Sequence, residues 1–222
     1  FTNKAAKEMK ARLEKILGEE IVKNIWVGTF HSICGRILRQ DIENYKSEEG
    51  AIWQKNFAIY DEDESLAVIK NALKVLDLDD KVYKPKTIKG EISNAKNKLM
   101  NAYAFCTKAR DYYQDKVGQI FTLYEKALSV NNALDFDDLL IMAVKLLGQC
   151  PDVREKYFKK FSHILVDEFQ DTNQAQYQLI KLLFTGNNPL EAVDLENRTL
   201  CVVGDIDQSI YSWRGADYKI LL

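Results

Sequence analysis

The stretch His163-Ile164-Leu165-Val166-Asp167-Glu168-Phe169-Gln170-Asp171-Thr172-Asn173-Gln174-Ala175-Gln176 decides the fold. It opens as a compact apolar run, delivers two acids at its end, and continues into a pattern that predicts a helix over 173–184. A second run of the same kind, Thr199-Leu200-Cys201-Val202-Val203, ends in Gly204-Asp205. Continuous apolar strands that alternate with helices indicate an α/β fold, with a parallel sheet and helices on both faces. Ligands of such sheets bind at the carboxyl ends of the strands. Both acidic clusters fall at that edge.

The residue types there suit nucleotide hydrolysis. Asp167 can anchor a Mg²⁺ that bridges phosphate oxygens, and Glu168 can orient and deprotonate an attacking water. Strand alternation predicts that the two side chains point in different directions. Alone, Asp-Glu after a strand often only caps the next helix; the Gln-Asp-Thr-Asn-Gln-Ala-Gln tail makes this stretch far more specific. The second stretch continues through Gln208, Tyr211, Trp213 and Arg214. Gln208 can meet a terminal phosphate. Two aromatic rings and a guanidinium close together form a stacking platform for unpaired bases. The competing reading of Trp213 is a core aromatic.

Upstream, Ala5, Ala6, Met9, Leu13, Ile16 and Leu17 make a helical stripe over 4–17, with Thr2 or Asn3 as its N-cap. Ile25-Trp26-Val27-Gly28-Thr29 reads as a strand, and a helix follows from His31 to about Asn44. The middle differs in kind. Amphipathic patterns predict helices over 62–76, 87–99, 108–130, 135–147 and 152–160, punctuated by Pro85 and Pro151, with no convincing strand among them. An all-helical subdomain inserted into the α/β unit is the simplest reading. Residues 185–198 are polar and read as a surface loop.

Composition narrows the class. With 46% hydrophobic and 29% charged residues the chain is an ordinary globular protein. No apolar run approaches the roughly 20 residues of a membrane span. Four scattered cysteines without a CxxC pair fit reduced thiols in a cytoplasmic protein, and two histidines leave little for a His-based metal site. Net charge is −2, but its distribution is uneven. Residues 1–40 carry 8 basic against 4 acidic side chains, and 81–130 carry 10 against 4. Basic blocks can follow a phosphate backbone, although a solvated lysine-rich surface is the blander reading of charge alone.

Taken together, these stretches resemble the superfamily 1 DNA helicases of the UvrD/PcrA/Rep type. Phe1-Thr2-Asn3-Lys4-Ala5-Ala6-Lys7-Glu8-Met9 looks like motif Ia of that family, and Gly28-Thr29-Phe30-His31-Ser32 with Arg36-Ile37-Leu38 like motif Ib. Leu134-Asp135-Phe136-Asp137-Asp138-Leu139-Leu140 matches the block ahead of motif II, Asp167 to Asp171 motif II, and Gly204 to Ala216 motif III. The matches run in family order along the whole chain. The resemblance implies a partial RecA-like motor domain in residues 1–45 and 161–222, with a helical insert over about 46–160. It implies ATP and Mg²⁺ as cofactors, with Asp167 as metal anchor, Glu168 as catalytic base and Gln208 as γ-phosphate sensor. It also implies single-stranded DNA, and junctions between single and double strands, as the partner. On this reading Phe1, Thr2, Asn3, Thr29, His31, Tyr211, Trp213 and Arg214 face DNA. For His31 a capping or core role is the alternative, and for Phe136, Asp137 and Asp138 helix capping and packing is the preferred one.

One departure weighs most. The phosphate-gripping loop GxxxxGK[ST] of the family occurs nowhere in the 222 residues. The chain also opens in mid-pattern without Met, which suggests a piece of a longer protein, inactive by itself. Motion in the 3′→5′ direction and a role in repair or replication are family expectations. The motor part of a helicase–nuclease, or a non-catalytic DNA-binding module, are the other readings.

Overall fold

The computed structural model describes residues 2–47 and 50–208. Phe1, Tyr211, Trp213 and Arg214, all expected to face DNA, lie outside the described residues.

The chain begins with α1 (Asn3–Leu17), a short α2 (Glu19–Val22) and α3 (Phe30–Asp41). It continues through β1 (Ala58–Tyr60), α4 (Glu62–Val75), α5 (Pro85–Asn97), α6 (Ala102–Lys108) and α7 (Tyr112–Val130). Then follow β2 (Ala133–Asp135), α8 (Phe136–Gln149), α9 (Pro151–Lys160), β3 (His163–Val166), α10 (Gln174–Thr185) and β4 (Thr199–Val202). β3 pairs with β4 in parallel, His163 opposite Thr199 and Val166 opposite Val202. The two apolar runs are therefore neighbours, and their acidic tails leave from the same edge.

Helix starts follow the local chemistry. Thr2, Thr29 and Asn173 each sit in extended backbone and accept a hydrogen bond from an amide of the first turn, which satisfies a donor the helix itself leaves unpaired. Asn173 closes a full capping box with Gln176. Pro85 and Pro151 open α5 and α9, where a missing N–H costs nothing.

Three differences from the sequence reading have physical causes. Residues 25–29 are not a strand: among the described residues no strand lies beside them, and a strand exists only through its neighbour. Trp26 instead packs edge-on to Phe161 at 5.1 Å, under the Arg36 guanidinium at 3.8 Å. In the helical middle, β2 adds a strand of three residues that pairs in parallel with β1, Ala58 opposite Ala133. The predicted helix over 108–130 begins at Tyr112, since Asp111 caps it, and α6 precedes it as a separate helix capped by Asn101.

Two main hydrophobic cores result. One joins α3, α8, α9 and α10 around Ile37, Leu38, Leu146, Tyr157 and Leu179. The other joins α4, α5 and α7 around Ile69, Ile88, Ile92, Phe121 and Tyr124. A small third cluster, Val166, Phe169 and Ile180, seats one face of β3 on α10, while Leu165 on the opposite face is 76% exposed.

A charged cluster fastens the two main cores together. Lys96 of α5 is 2% exposed and lies 2.6 Å from Asp138 and 3.0 Å from Asp135. Lys89 and the Tyr124 hydroxyl also reach Asp135, at 2.7 and 2.8 Å. Burial alone would push the Lys96 ammonium down, but Asp138 and Asp135 outweigh it and hold it above its ordinary value. One residue on, Asn97 accepts a hydrogen bond from the Asn173 side chain at 2.8 Å. Asp135 and Asp138 form the capping box of α8, so of the block Phe136, Asp137 and Asp138 it is Asp138 that has the expected capping role. No described helix is long and apolar enough to cross a membrane.

Candidate functional site

The site forms where β3 and β4 end. β3 stops at Val166, so Asp167 and Glu168 lie beyond the strand, and strand alternation does not orient them. Glu168 instead adopts the left-handed conformation, φ 54° and ψ 42°. A residue with a Cβ pays strain there, and such strain concentrates at functional sites. The backbone around it is pinned. Glu168 N–H donates to Asp167 Oδ1 at 3.0 Å, Asp171 N–H to the Glu168 carbonyl at 3.0 Å, and Phe169 N–H to the Val203 carbonyl at 2.8 Å. Both carboxylates are exposed to solvent.

Across the edge, Gly204 and Asp205 follow β4 and lead into a short 3-10 turn, Ile206–Gln208. Gln208 Nε2 donates to Asp205 Oδ2 at 2.7 Å, and the Asp205 N–H donates to Gln170 Oε1 at 3.0 Å. Gln170 Nε2 in turn donates to Glu168 Oε2 at 2.6 Å. A continuous chain of contacts thus runs from Glu168 through Gln170 and Asp205 to Gln208. The three residues singled out from sequence, Asp167, Glu168 and Gln208, converge on one sheet edge.

The expected DNA-facing residues within the described chain take no part in that chain of contacts. Thr2 and Thr29 spend their hydroxyl oxygens as caps, on Ala5 N–H at 3.1 Å and Ser32 N–H at 3.3 Å. Asn3 is exposed at the start of α1. His31 stacks on Phe136, ring centroids 3.9 Å apart and planes 18° apart. Burial lowers its pKa below the ordinary histidine value, against an opposing pull from Asp137. The shift disfavours the charged imidazolium, while the ring remains able to stack or donate a hydrogen bond.

Two residues of this region escaped the sequence reading. Gln170 looked like part of a motif tail, yet it is buried at the centre of the contact chain. Arg198 sits in the stretch read as a polar surface loop, yet it is 7% exposed. Its guanidinium donates to the carbonyls of Phe158, Phe161 and Leu183 and lies 3.7 Å over the Phe158 ring, tying the ends of α9 and α10 to the start of β4. The signal available was an arginine directly before an apolar strand.

A parallel strand pair with acids behind one strand and Gly-Asp-x-x-Gln behind the next, in a helix-rich chain, fits part of a RecA-like α/β domain. The chain matches the UvrD/REP helicase N-terminal domain over residues 1–222 and belongs to that family. It is 47% identical over its whole length to the ATP-dependent DNA helicase PcrA of Bacillus subtilis. The proteins of that name from Staphylococcus epidermidis and Staphylococcus aureus are 45% and 44% identical, again over the whole chain. The chain spans 28% of the length of each of these relatives.

Proposed function

We propose that the chain is part of the first motor domain of an ATP-dependent DNA helicase that moves 3′→5′ on single-stranded DNA in repair or replication. Residues 1–45 and 161–222 would form the motor portion, and about 46–160 its insert. The observation that carries the reading is the closure of Asp167, Glu168 and Gln208 onto one edge by hydrogen bonds across 35 residues of sequence. The names of the relatives supply the substrate class, ATP and DNA.

Each residue then has a task. Asp167 fits a magnesium site: it is an exposed carboxylate with one oxygen engaged by the Glu168 N–H. The described residues hold no group of three or more His, Cys, Asp or Glu able to ligate a metal. A cation here would therefore take its other ligands from phosphate and water, as magnesium does. Magnesium, when bound, supplies charge neutralisation at the phosphate oxygens. Glu168 accepts the proton of the attacking water while the water oxygen bonds to the outer phosphorus and the bond to the departing ADP oxygen breaks. Gln208, at the far end of the contact chain, reads whether that phosphate is present. Phe1, Thr2, Asn3, Thr29, His31, Tyr211, Trp213 and Arg214 are assigned to the DNA track, which extends to single/double-strand junctions.

Two expectations follow here. The 222-residue chain alone should release no phosphate from ATP, with or without DNA, because none of its residues supplies the GxxxxGK[ST] cradle. A colorimetric phosphate assay on the pure chain tests this, and DNA-stimulated release would refute it. In the longer protein, Trp213→Ala should weaken single-strand binding by about 1–3 kcal/mol, the worth of one base stacked on an aromatic ring. Fluorescence anisotropy with a labelled oligonucleotide measures it; unchanged affinity returns Trp213 to a packing role.

A further inference from the structure

We propose that Gln170 is the positioning residue that fixes the Glu168 carboxylate for attack by water, and that position 204 is glycine to leave Gln170 room. This rests on the reading of Glu168 as the base. Gln170 is 1% exposed, and both ends of its amide are used: Oε1 accepts from Asp205 N–H at 3.0 Å and Nε2 donates to Glu168 Oε2 at 2.6 Å. The partners dictate this orientation. A backbone N–H can only donate and an ionised carboxylate can only accept, so the reversed amide would face donor with donor and acceptor with acceptor. Among the side-chain amides only glutamine has its donor and acceptor at that reach. A glutamate at 170 would oppose the Glu168 charge, and an asparagine would fall one methylene short.

Gly204 completes the arrangement. The left-handed glycines of the described residues are Gly18, Gly50 and Gly186, so backbone freedom does not explain Gly204. Space does. A Cβ built there would lie 2.5 Å from Gln170 Oε1, 3.1 Å from its backbone nitrogen and 3.2 Å from that of Phe169. Two of these three neighbours are backbone, and the third is held by two hydrogen bonds, so a methyl group has nowhere to go.

The consequence is atomic. With the Glu168 backbone pinned on both sides, Gln170 sets the remaining side-chain freedom. It also occupies Oε2 with a donor. Oε1 is left as the atom that takes the proton of water. Because the same amide holds Asp205, whose carboxylate holds Gln208, a shift of Gln208 reaches the base through two hydrogen-bonded side chains.

The test uses the full-length protein with saturating single-stranded DNA. Gln170→Met keeps length and removes both hydrogen bonds; Gly204→Ala displaces an intact Gln170. Each should lower kcat for ATP about 10- to 100-fold, the cost of a reacting group misplaced by about an ångström. KM for ATP should stay within about threefold, and binding of a non-hydrolysable ATP analogue should persist. The double variant should be no slower than the worse single one, since both break one latch. Retention of more than about a third of kcat in Gln170→Met, or losses that multiply in the double variant, overturns the proposal. Should Gln170→Met fail to fold, Gly204→Ala and Gln170→Asn carry the same comparison. Glu168→Gln, run in parallel, separates the two ideas. If it too retains turnover, the base assignment is wrong; if it is inactive while Gln170→Met is not, only the positioning role fails.

Discussion

Glu168→Gln in the longer protein should reduce DNA-stimulated ATP turnover by about 10²–10⁴-fold, the span expected for losing a general base. The site should survive the change. Glutamine keeps the length of the side chain, and its carbonyl oxygen can still accept from Gln170 Nε2, the bond that now measures 2.6 Å. Asp167 is untouched, so nucleotide affinity should hold, and DNA affinity with it. Single-turnover kinetics with a filter-binding measurement of ATP distinguish the outcomes. Loss of binding together with turnover would mean that Glu168 holds the site together rather than acting on water.

Lys96→Met should be strongly destabilising. It removes the ammonium and leaves Asp135 and Asp138 facing one another inside, where Asp138 is already pushed up to about 6 by burial and by Asp135. Breaking a buried pair by deleting one partner costs about 3–5 kcal/mol; here Asp138 loses its counterion, while Lys89 stays on Asp135. For a domain of this size that is roughly 6–20 °C in Tm, read by circular dichroism. Replacing Lys96 and Asp138 together, by Met and Asn, should recover a large part of the loss. A drop below about 2 °C in the single variant would show that water reaches the cluster.

The parts of the fold that were legible from sequence are those decided locally. β3 and β4 announced themselves as uninterrupted apolar runs, and Thr2 as a cap ahead of a periodic stretch, whereas Thr29, read as the end of a strand, and Asn173, read as part of a helix, are caps as well. What was missed depends on a distant neighbour. Residues 25–29 have the composition of a strand and no strand to pair with among the described residues. β1 and β2 have a mutual partner but only three residues each, too few to show a period. Lys96 and Lys89 lie in a block whose charge suggested a solvated lysine surface, yet Lys96 is 2% exposed. Nothing within α5 marks that lysine as different; the aspartates that receive it come 39 and 42 residues later in the chain. The same holds at the site. Asp167, Glu168 and Gln208 were singled out by residue type and position, whereas the contacts of Gln170 come from Gly204 and Asp205, beyond the end of β4.

The last turn of α5 has a mechanical consequence. Lys96 and Asn97 are adjacent in sequence, so on a helix their side chains leave about 100° apart. One is locked to the start of α8 and the other to the cap of α10. A helix held by two such bearings can neither roll about its axis nor slide along it without breaking one of them. Greasy surfaces permit small slippages; crossed polar anchors do not. The alignment of α5 on α8 and α10 is therefore keyed at two points, like a shaft on a wheel.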